Sequence, residues 1–275
     1  MPRKKILITV TTYPLPSRSY DELVCTAGFL ENGEWIRIYP MPLSFLKGLK
    51  KEGKIEQTKY TWIELDLKER TDDFRPESYS PNDYTFKDLM VGETIDTKSN
   101  WFLRKQLCLK EVYTNMELLI EDSKAPKNKS LATFKPTKIH KLIIEKDEDD
   151  WKPVWKALQN QISLFPNEDN EKEPFPKVPY KFKYEFEDET GKVRKLMIED
   201  WEIGQLYWNC LKSTNGDIEL ALEKVREQYE TNFINNKDIY FFLGTTKEWH
   251  TRRSKNPFVI IGVFYPKKET QTQLF

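Results

Sequence analysis

Short runs of apolar and β-branched residues recur along the first 146 positions of the chain. Residues 5–12 form a continuous β-branched run, and residues 60–68 alternate apolar with polar side chains, as a strand with one buried face does. Asn32-Gly33 separates two further apolar runs, an arrangement typical of a β-hairpin. The strands predicted in this part of the chain are 5–12, 23–27, 35–39, 60–68 and 139–145.

A helical pattern interrupts these strands. Apolar residues between positions 99 and 122 recur at helical spacing, beginning with Trp101 and Phe102. We therefore predict a mixed, barrel-like β domain with a helical insert over residues 1–146.

The second half of the chain has clearer periodicities. Aromatic and charged residues alternate over 180–187, which predicts a strand, and 217–233 repeats apolar side chains at the spacing of an amphipathic helix. The predicted elements, in order, are strands 180–187 and 193–198, helices 200–212 and 217–233, and strands 239–243 and 258–264. This ββααββ order predicts an antiparallel or mixed sheet with two helices, and an α+β fold class for the whole chain.

Changes in composition mark the boundaries between these blocks. An acidic run at 145–150 is followed by a predicted helix that carries Trp151 and Trp155. Residues 166–179 are rich in proline and acidic side chains, which is typical of a linker. The expected organisation is a recognition domain at 1–146, a helix and linker at 147–179, a C-terminal domain at 180–266 and a docking tail at 267–275.

Charge and cysteine content exclude several classes of protein. The 44 Lys and Arg residues balance 44 Asp and Glu residues, so any contact with nucleic acid must come from local patches. Three widely spaced cysteines and two histidines argue against a disulfide framework and a zinc site. The chain has no signal-peptide pattern and no apolar run of membrane-spanning length, so we expect a cytoplasmic protein without a membrane partner. No glycine-rich phosphate loop occurs, which disfavours ATPases, kinases and dinucleotide enzymes, and we expect no cofactor and no metal.

Ligand-recognising side chains are dense in the N-terminal block. Aromatic rings beside arginine and carboxylate groups can stack a flat ring and hydrogen-bond its edge, as recognition of a nucleobase requires. The residues of this predicted base pocket are Tyr13, Arg18, Tyr20, Arg37, Tyr39, Arg75 and Ser78. If the pocket belongs to an enzyme, its catalytic groups would be Glu22, Cys25 and Glu77. A small buried side chain is the alternative role for Cys25.

A basic segment lies between the last two predicted strands and should form an exposed loop. Cationic side chains suit contact with phosphate, and a tryptophan can stack on a base. The predicted phosphate-binding residues are Trp249, His250, Arg252, Arg253 and Lys255. A merely solvated loop is the alternative, because the chain as a whole is neutral.

Three carboxylates stand at the start of the helix predicted at 200–212. Glu199, Asp200 and Glu202 could handle a metal ion or a proton. Helix N-termini favour acids whatever the function, however, because a carboxylate caps free amides and complements the helix dipole. We therefore predict an N-cap here.

One pentapeptide pattern, Gln-x-x-Leu-Phe, occurs twice, at 161–165 and at 271–275. Both copies resemble the peptide with which replication-linked proteins dock on the bacterial sliding clamp, where Leu and Phe fill apolar pockets and Gln anchors the other end. The resemblance implies a sliding-clamp partner, contacted through Gln161, Leu164 and Phe165 or through Gln271, Leu274 and Phe275. Packing of either Leu-Phe pair on the body of the protein is the alternative.

Two further sets of strings, 24–28 with 35–40 and 200–202 with 258–266, resemble conserved hypothetical prokaryotic proteins, and that resemblance implies no activity. The leading hypothesis is a DNA-associated protein recruited by the clamp, acting in DNA repair, mobile-element biology or phage defence through recognition of DNA or a nucleotide. Two alternatives stay open. One is an enzyme acting on a nucleotide or nucleic-acid base, and the other is a protein-interaction module.

Overall fold

A computed structural model describes residues 3–13, 23–42, 57–153 and 176–269 of the chain. The fold class is α+β, as the sequence predicts, and its strands close into two barrels that pack against each other.

The N-terminal strands form a closed barrel, here called barrel 1. Its strands are β1 (Arg3–Thr11), β2 (Leu23–Leu30), β3 (Trp35–Pro42), β4 (Thr61–Glu69) and β5 (Ser78–Pro81). They pair in the order β1-β2-β3-β5-β4, and β4 pairs back onto β1 to close the sheet. The β3–β5 pairing is parallel and the others are antiparallel. A sixth strand, β6 (Met90–Thr94), pairs with the first half of β4.

Alternation along each strand decides which side chains fill barrel 1. Along β4, Ile63, Leu65 and Leu67 are buried, while the residues between them are partly exposed. Ile36 and Ile38 of β3 point to the same interior. The predicted hairpin between β2 and β3 is confirmed, and Gly33 has φ of +83° in its turn, a conformation that glycine adopts without steric cost.

The link between the barrels differs from the single helix predicted at 99–122. It consists of α1 (Lys98–Cys108), β7 (Val112–Tyr113) and α2 (Met116–Asp122). The prediction was wrong because the Asn115 side chain accepts hydrogen bonds from the amides of Glu117 and Leu118 and so begins a new helix. Periodicity by itself does not show such a break.

The second barrel, here called barrel 2, is built from two sheets that join at both edges. Its strands are β8 (Leu131–Phe134), β9 (Lys138–Lys146), β10 (Tyr180–Glu187), β11 (Val193–Met197), β12 (Tyr240–Thr245) and β13 (Phe258–Phe264). One sheet has the order β11-β10-β9 and the other the order β13-β12-β8-β7. At one edge β8 continues into β9, and at the other a parallel bridge joins Ile198 to Ile260.

Barrel 2 therefore repeats the strand order of barrel 1. If β8 and β9 are taken as one bent strand, the five strands of barrel 2 are β8/β9, β10, β11, β12 and β13. As in barrel 1, the first strand pairs with the second and the fourth, and the third lies parallel to the fifth. This internal repeat is not visible in the sequence. It also places the strands within residues 131–146 in the sheets of barrel 2.

Helices follow β11 and complete the second half. They are α3 (Trp201–Ser213), α4 (Ile218–Arg226), a π-helical segment (Glu227–Asn232), α5 (Phe233–Asn236) and, between β12 and β13, α6 (Lys247–Thr251). Asp200 and Asp217 cap α3 and α4 with their carboxylates, which confirms the N-cap predicted at Asp200. Within the described part of the chain, no helix is long and apolar enough to cross a membrane.

The two barrels share an apolar interface. Leu7 and Phe29 of barrel 1 meet Phe242 and Ile261 of barrel 2 in one buried cluster. The Phe242 ring lies 5.1 Å from Trp35 and 5.8 Å from Phe29, measured between ring centroids, with an edge-on geometry that aromatic pairs favour.

Truncating this interface should destabilise both barrels together. Phe242 is fully buried, so Phe242→Ala should lower the free energy of unfolding by about 3–5 kcal/mol through lost contacts and a residual cavity. Leu118, which is 60% exposed on α2, gives the control, and Leu118→Ala should change the free energy of unfolding by less than about 0.5 kcal/mol. Urea denaturation followed by fluorescence and circular dichroism measures both values. Equal changes in the free energy of unfolding for the two substitutions would contradict the burial of Phe242 between the barrels.

Candidate functional site

A buried polar network crosses the interface between the barrels. Arg37 of β3 is 3% exposed and donates to Ser78 Oγ at 3.2 Å and to Ser130 Oγ at 2.8 Å. Ser130 precedes β8 of barrel 2, and its amide and hydroxyl both donate to the Glu77 carboxylate, at 3.0 and 2.8 Å. The side chains of Arg37, Ser78, Ser130 and Glu77 each have a hydrogen-bond partner in this network, so the network fixes the relative position of the two barrels.

A second buried arginine ties the loops of the two barrels together. Arg75 donates to both carboxylate oxygens of Asp73, at 2.8 and 2.6 Å, and its remaining Nη1 donates to the Thr245 carbonyl of barrel 2 at 2.8 Å. Burial opposes ionisation of Asp73, but the hydrogen bonds and charge of Arg75 hold the pKa of Asp73 well below its usual range.

The predicted base pocket is thus brought together only in part. Arg37, Arg75, Glu77 and Ser78 converge, but their hydrogen bonds are made within the network between the barrels, and all except Glu77 are buried there. Sequence reasoning missed Ser130, Asp73 and Thr245, which complete the network. Only their tertiary positions identify them.

The other predicted pocket residues lie apart from this network. Tyr39 has the Arg70 guanidinium 5.2 Å from its ring centre, and the Cys25 thiol is half-buried within electrostatic reach of both Tyr39 and Arg37. Tyr13 packs beside α3, where its hydroxyl accepts from Trp208 Nε1 at 3.0 Å. Arg18, Tyr20 and Glu22 lie outside the described residues.

His250 differs from the exposed phosphate ligand that the sequence predicts. Its ring is 8% exposed, with Nδ1 3.0 Å from Thr245 Oγ1 and Nε2 2.5 Å from the Ser123 carbonyl oxygen. Burial lowers the pKa of His250, and the carbonyl of Ser123 acts in the opposite direction. Because both ring nitrogens are engaged inside the protein, His250 anchors the loop and does not present a group to phosphate.

The remaining residues of the predicted phosphate-binding set face solvent, next to a loop of barrel 1. We call this region the paired-loop surface, defined by residues 70–77 and 246–257. Lys247 joins the loops by donating from Nζ to the Asp72 carbonyl at 2.6 Å. Phe74 joins them by an edge-on contact with His250, with 4.8 Å between the two ring centroids. Phe74 is 44% and Trp249 37% exposed, so each loop presents one aromatic side chain.

Free positive charge on the paired-loop surface comes from two side chains. Arg253 and Lys255 are exposed and make no ion pair with any described residue, whereas Arg252 pairs with Glu248 at 2.8 Å. Asp72, the exposed acid of the other loop, is held by Arg70 at 2.6 Å. The surface therefore combines two exposed aromatic rings with two uncompensated cations.

The acidic cluster beside α3 has a different character. Lys59 contacts Asp200 at 3.1 Å and Glu202 at 2.9 Å, and these carboxylates raise its pKa although burial acts against them. Glu199 is half-buried and pairs with no described residue, and burial raises its pKa to about 7. Among the described residues, no group of three or more His, Cys, Asp and Glu side chains could hold a metal ion.

Both copies of the docking pentapeptide lie outside the described residues. These are Gln161, Leu164 and Phe165, and Gln271, Leu274 and Phe275.

Stability should depend on pH through Glu199. Its carboxyl keeps its proton up to about pH 7 in the folded chain but only to about pH 4.5 when unfolded, so the free energy of unfolding falls as pH rises between these values. Glu199→Gln removes this titration. The variant should therefore gain stability relative to the wild type at about pH 8 and not at about pH 4. Urea denaturation at both values measures the difference, and a gain independent of pH would contradict the assignment.

Comparisons with known proteins give a family but no activity. A search of curated proteins found no significant match. Among solved structures, a murine DNA-binding protein bound to double-stranded DNA matches with 8% sequence identity over 98% of this chain and 97% of that chain. Its TM-score is 0.29, which is too low for the likeness to indicate a shared fold or function. Residues 2–110 match the model of one domain of unknown function, DUF8758. The chain belongs to the family of the domain of unknown function DUF8757, whose model matches residues 111–275.

Proposed function

We propose that the protein binds nucleic acid at the paired-loop surface. The observation that carries this proposal is the junction of two equivalent loops, each joining the fourth and fifth strands of its barrel, into one exposed surface with Phe74, Trp249, Arg253 and Lys255. Aromatic rings supply faces on which bases stack, and cations contact the phosphates between them.

The strand order of the barrels supports the same proposal. A five-stranded Greek-key barrel whose first strand pairs with the second and fourth has the architecture of an OB-fold. OB-folds bind oligonucleotides or oligosaccharides through the face of strands 2 and 3 and through the loops that follow strands 1 and 4. A fold by itself does not identify a ligand, so the chemistry of the loops has to do so.

The two strand faces are less suited to a ligand than the loops. In barrel 1, Phe29 and Arg37 lie on the outer face of β2 and β3 and are buried against barrel 2. In barrel 2, charges on the corresponding face are paired with one another, as Lys183 is with Glu145 at 2.5 Å. The paired-loop surface has both exposed rings and unpaired cations, and it is therefore the better candidate.

A binding role fits this arrangement better than a catalytic one. Both carboxylate oxygens of Glu77 accept hydrogen bonds from Ser130, so Glu77 serves the interface between the barrels. The backbone amide of Cys25 donates to Thr12 Oγ1 at 3.0 Å, and no general base of the described residues hydrogen-bonds its thiol. Among the described residues, no contact favours the enzyme alternative, and Glu22 lies outside them.

Charge reversal on the paired-loop surface should weaken nucleic-acid binding. Arg253→Glu with Lys255→Glu removes two phosphate contacts, so affinity for a single-stranded oligonucleotide should drop and the slope of log K against log salt should fall by roughly one to two. Fluorescence anisotropy across a salt series measures both quantities.

The matched control reverses two exposed lysines on the helices of barrel 2. Lys212→Glu with Lys224→Glu changes the net charge by the same amount and should leave the salt slope unchanged. Equal losses in the two double variants would indicate a general charge effect and would remove the paired-loop surface from the proposal.

We also propose that the Gln-x-x-Leu-Phe copy at 271–275 docks on a sliding clamp, which would bring the nucleic-acid-binding surface to replicating or repaired DNA. The support is the sequence pattern together with the position of Glu269 at the protein surface, where the described part of the chain ends. The copy at 161–165 is the second candidate for the same role.

Substitution of the apolar anchors tests the docking proposal. Leu274→Ala with Phe275→Ala should abolish co-elution with a purified bacterial sliding clamp, because these side chains would fill the apolar pockets. Leu164→Ala with Phe165→Ala tests the other copy in the same assay. If the wild-type chain does not co-elute with the clamp, the proposal is wrong.

A further inference from the structure

A groove on barrel 1 has no assigned role. It lies between the β4–β6 edge of the barrel and α1, and its volume is about 780 Å³. Its apolar wall is formed by Trp62, Ile95, Leu103 and Leu107, and its polar rim includes Glu93, Asp96, Gln106 and Lys110. This site is separate from the buried network and from the paired-loop surface.

The helix that forms one wall of the groove also exposes apolar side chains. Phe102 is 54% and Leu103 53% exposed on α1. Leu103 lines the groove, while Phe102, one residue before it, lies on the ridge of the helix that faces solvent. Exposed apolar residues that adjoin a groove are typical of a binding surface.

The same helical element also holds the end of the described chain. The Asn100 side chain bonds both backbone groups of Lys267, donating to the carbonyl at 3.0 Å and accepting from the amide at 2.8 Å. Two residues later, Glu269 pairs with Lys105 at 2.8 Å. Residues 270–275 therefore start from a point fixed against α1.

Six residues are long enough to cross the helix. An extended chain spans about 3.3–3.6 Å per residue, or about 20 Å in all, whereas a helix with its side chains is about 10–12 Å wide. A segment of this length that starts at Glu269 can pass over Phe102 and reach Leu103 and Leu107 with positions 274 and 275. We propose that this groove binds Leu274 and Phe275 of the same chain.

The chemistry of the segment suits the groove. Residues 270–275 carry no charged side chain, so docking them desolvates no ionised side chain. The amides of Gln271 and Gln273 can donate to the carboxylates on the rim, Glu93 and Asp96. Because Leu274 and Phe275 are also the anchors of the clamp-like peptide, docking within the chain and docking on a clamp exclude each other.

Binding of a labelled peptide in trans tests the inference without nucleic acid or clamp. A fluorescein-labelled peptide with the sequence of residues 270–275 should bind the full chain carrying Leu274→Ala and Phe275→Ala. It should bind the wild-type chain at least about tenfold more weakly, because the tethered segment competes at a high effective concentration. Equal affinity for both chains, or no binding to either, would overturn the proposal.

Groove substitutions in the same assay locate the site. Added to the chain with the altered segment, Leu103→Gln should abolish peptide binding. Leu118→Gln should not, since Leu118 is 60% exposed on α2 and does not line the groove. Equal losses from both substitutions would place the peptide elsewhere and would sink the proposal.

Disulfide trapping gives a second readout from the full chain. In a Cys25→Ser background, which leaves the two buried native thiols Cys108 and Cys210, Leu103→Cys with Leu274→Cys should cross-link on mild oxidation. The control pair is Leu220→Cys with Leu274→Cys. Leu220 is 43% exposed near the start of α4, about 20 Å along the helical run from Ile234, whose carbonyl accepts from Lys268. Equal cross-linking of the two pairs would contradict docking in the groove.

These outcomes are independent of the nucleic-acid proposal. Charge reversal at Arg253 and Lys255 does not alter the groove, and the groove variants leave the paired-loop surface intact. Each proposal can therefore fail by itself.

Discussion

The apolar contact between the two barrels is the constraint on which the rest of the structure depends. Each barrel turns an outward face of its sheet toward the other, and Leu7 and Phe29 are desolvated against Phe242 and Ile261. Burial of these apolar side chains is favourable, but it also removes polar side chains on the same faces from water. Arg37 stands on the same face of β3, where Ser78 and Ser130 accept its hydrogen bonds and so make its burial tolerable. Glu77 in turn accepts a hydrogen bond from the Ser130 hydroxyl.

The same contact determines which surfaces of the barrels stay open to the proposed ligand. In barrel 1 it covers the strand face that related architectures use for ligands, and it brings together the two loops that follow the fourth strands. Hydrogen bonds of Arg75 and His250 hold those loops on their buried side, and Phe74 and Trp249 are exposed on the solvent side. The buried groups thus support the surface, and the exposed rings and cations are the groups that we propose contact nucleic acid.

Local signals in the sequence were sufficient for elements whose structure depends on neighbouring residues. Asn32-Gly33 specifies a tight turn, and Asp200 specifies a helix start, through backbone preferences and short-range hydrogen bonds. The helix predicted at 99–122 shows the limit, because Asn115 starts a new helix within an uninterrupted apolar pattern. For the candidate site, the sequence indicated Arg37, Arg75, Glu77 and Trp249 as candidate functional residues, but it assigned the first three to an open pocket.

The sequence by itself determined the α+β class, most strand and helix positions, and a basic aromatic loop between the last two strands. It did so because periodicity and turn chemistry act over a few residues. Only the tertiary structure decided that residues 131–146 belong to the second barrel, that the two barrels share one strand order, and that Arg37 is buried while Trp249 is exposed. Those outcomes depend on contacts between residues far apart in the chain, such as Arg37 with Ser130, and no local pattern encodes which distant partner removes a side chain from water.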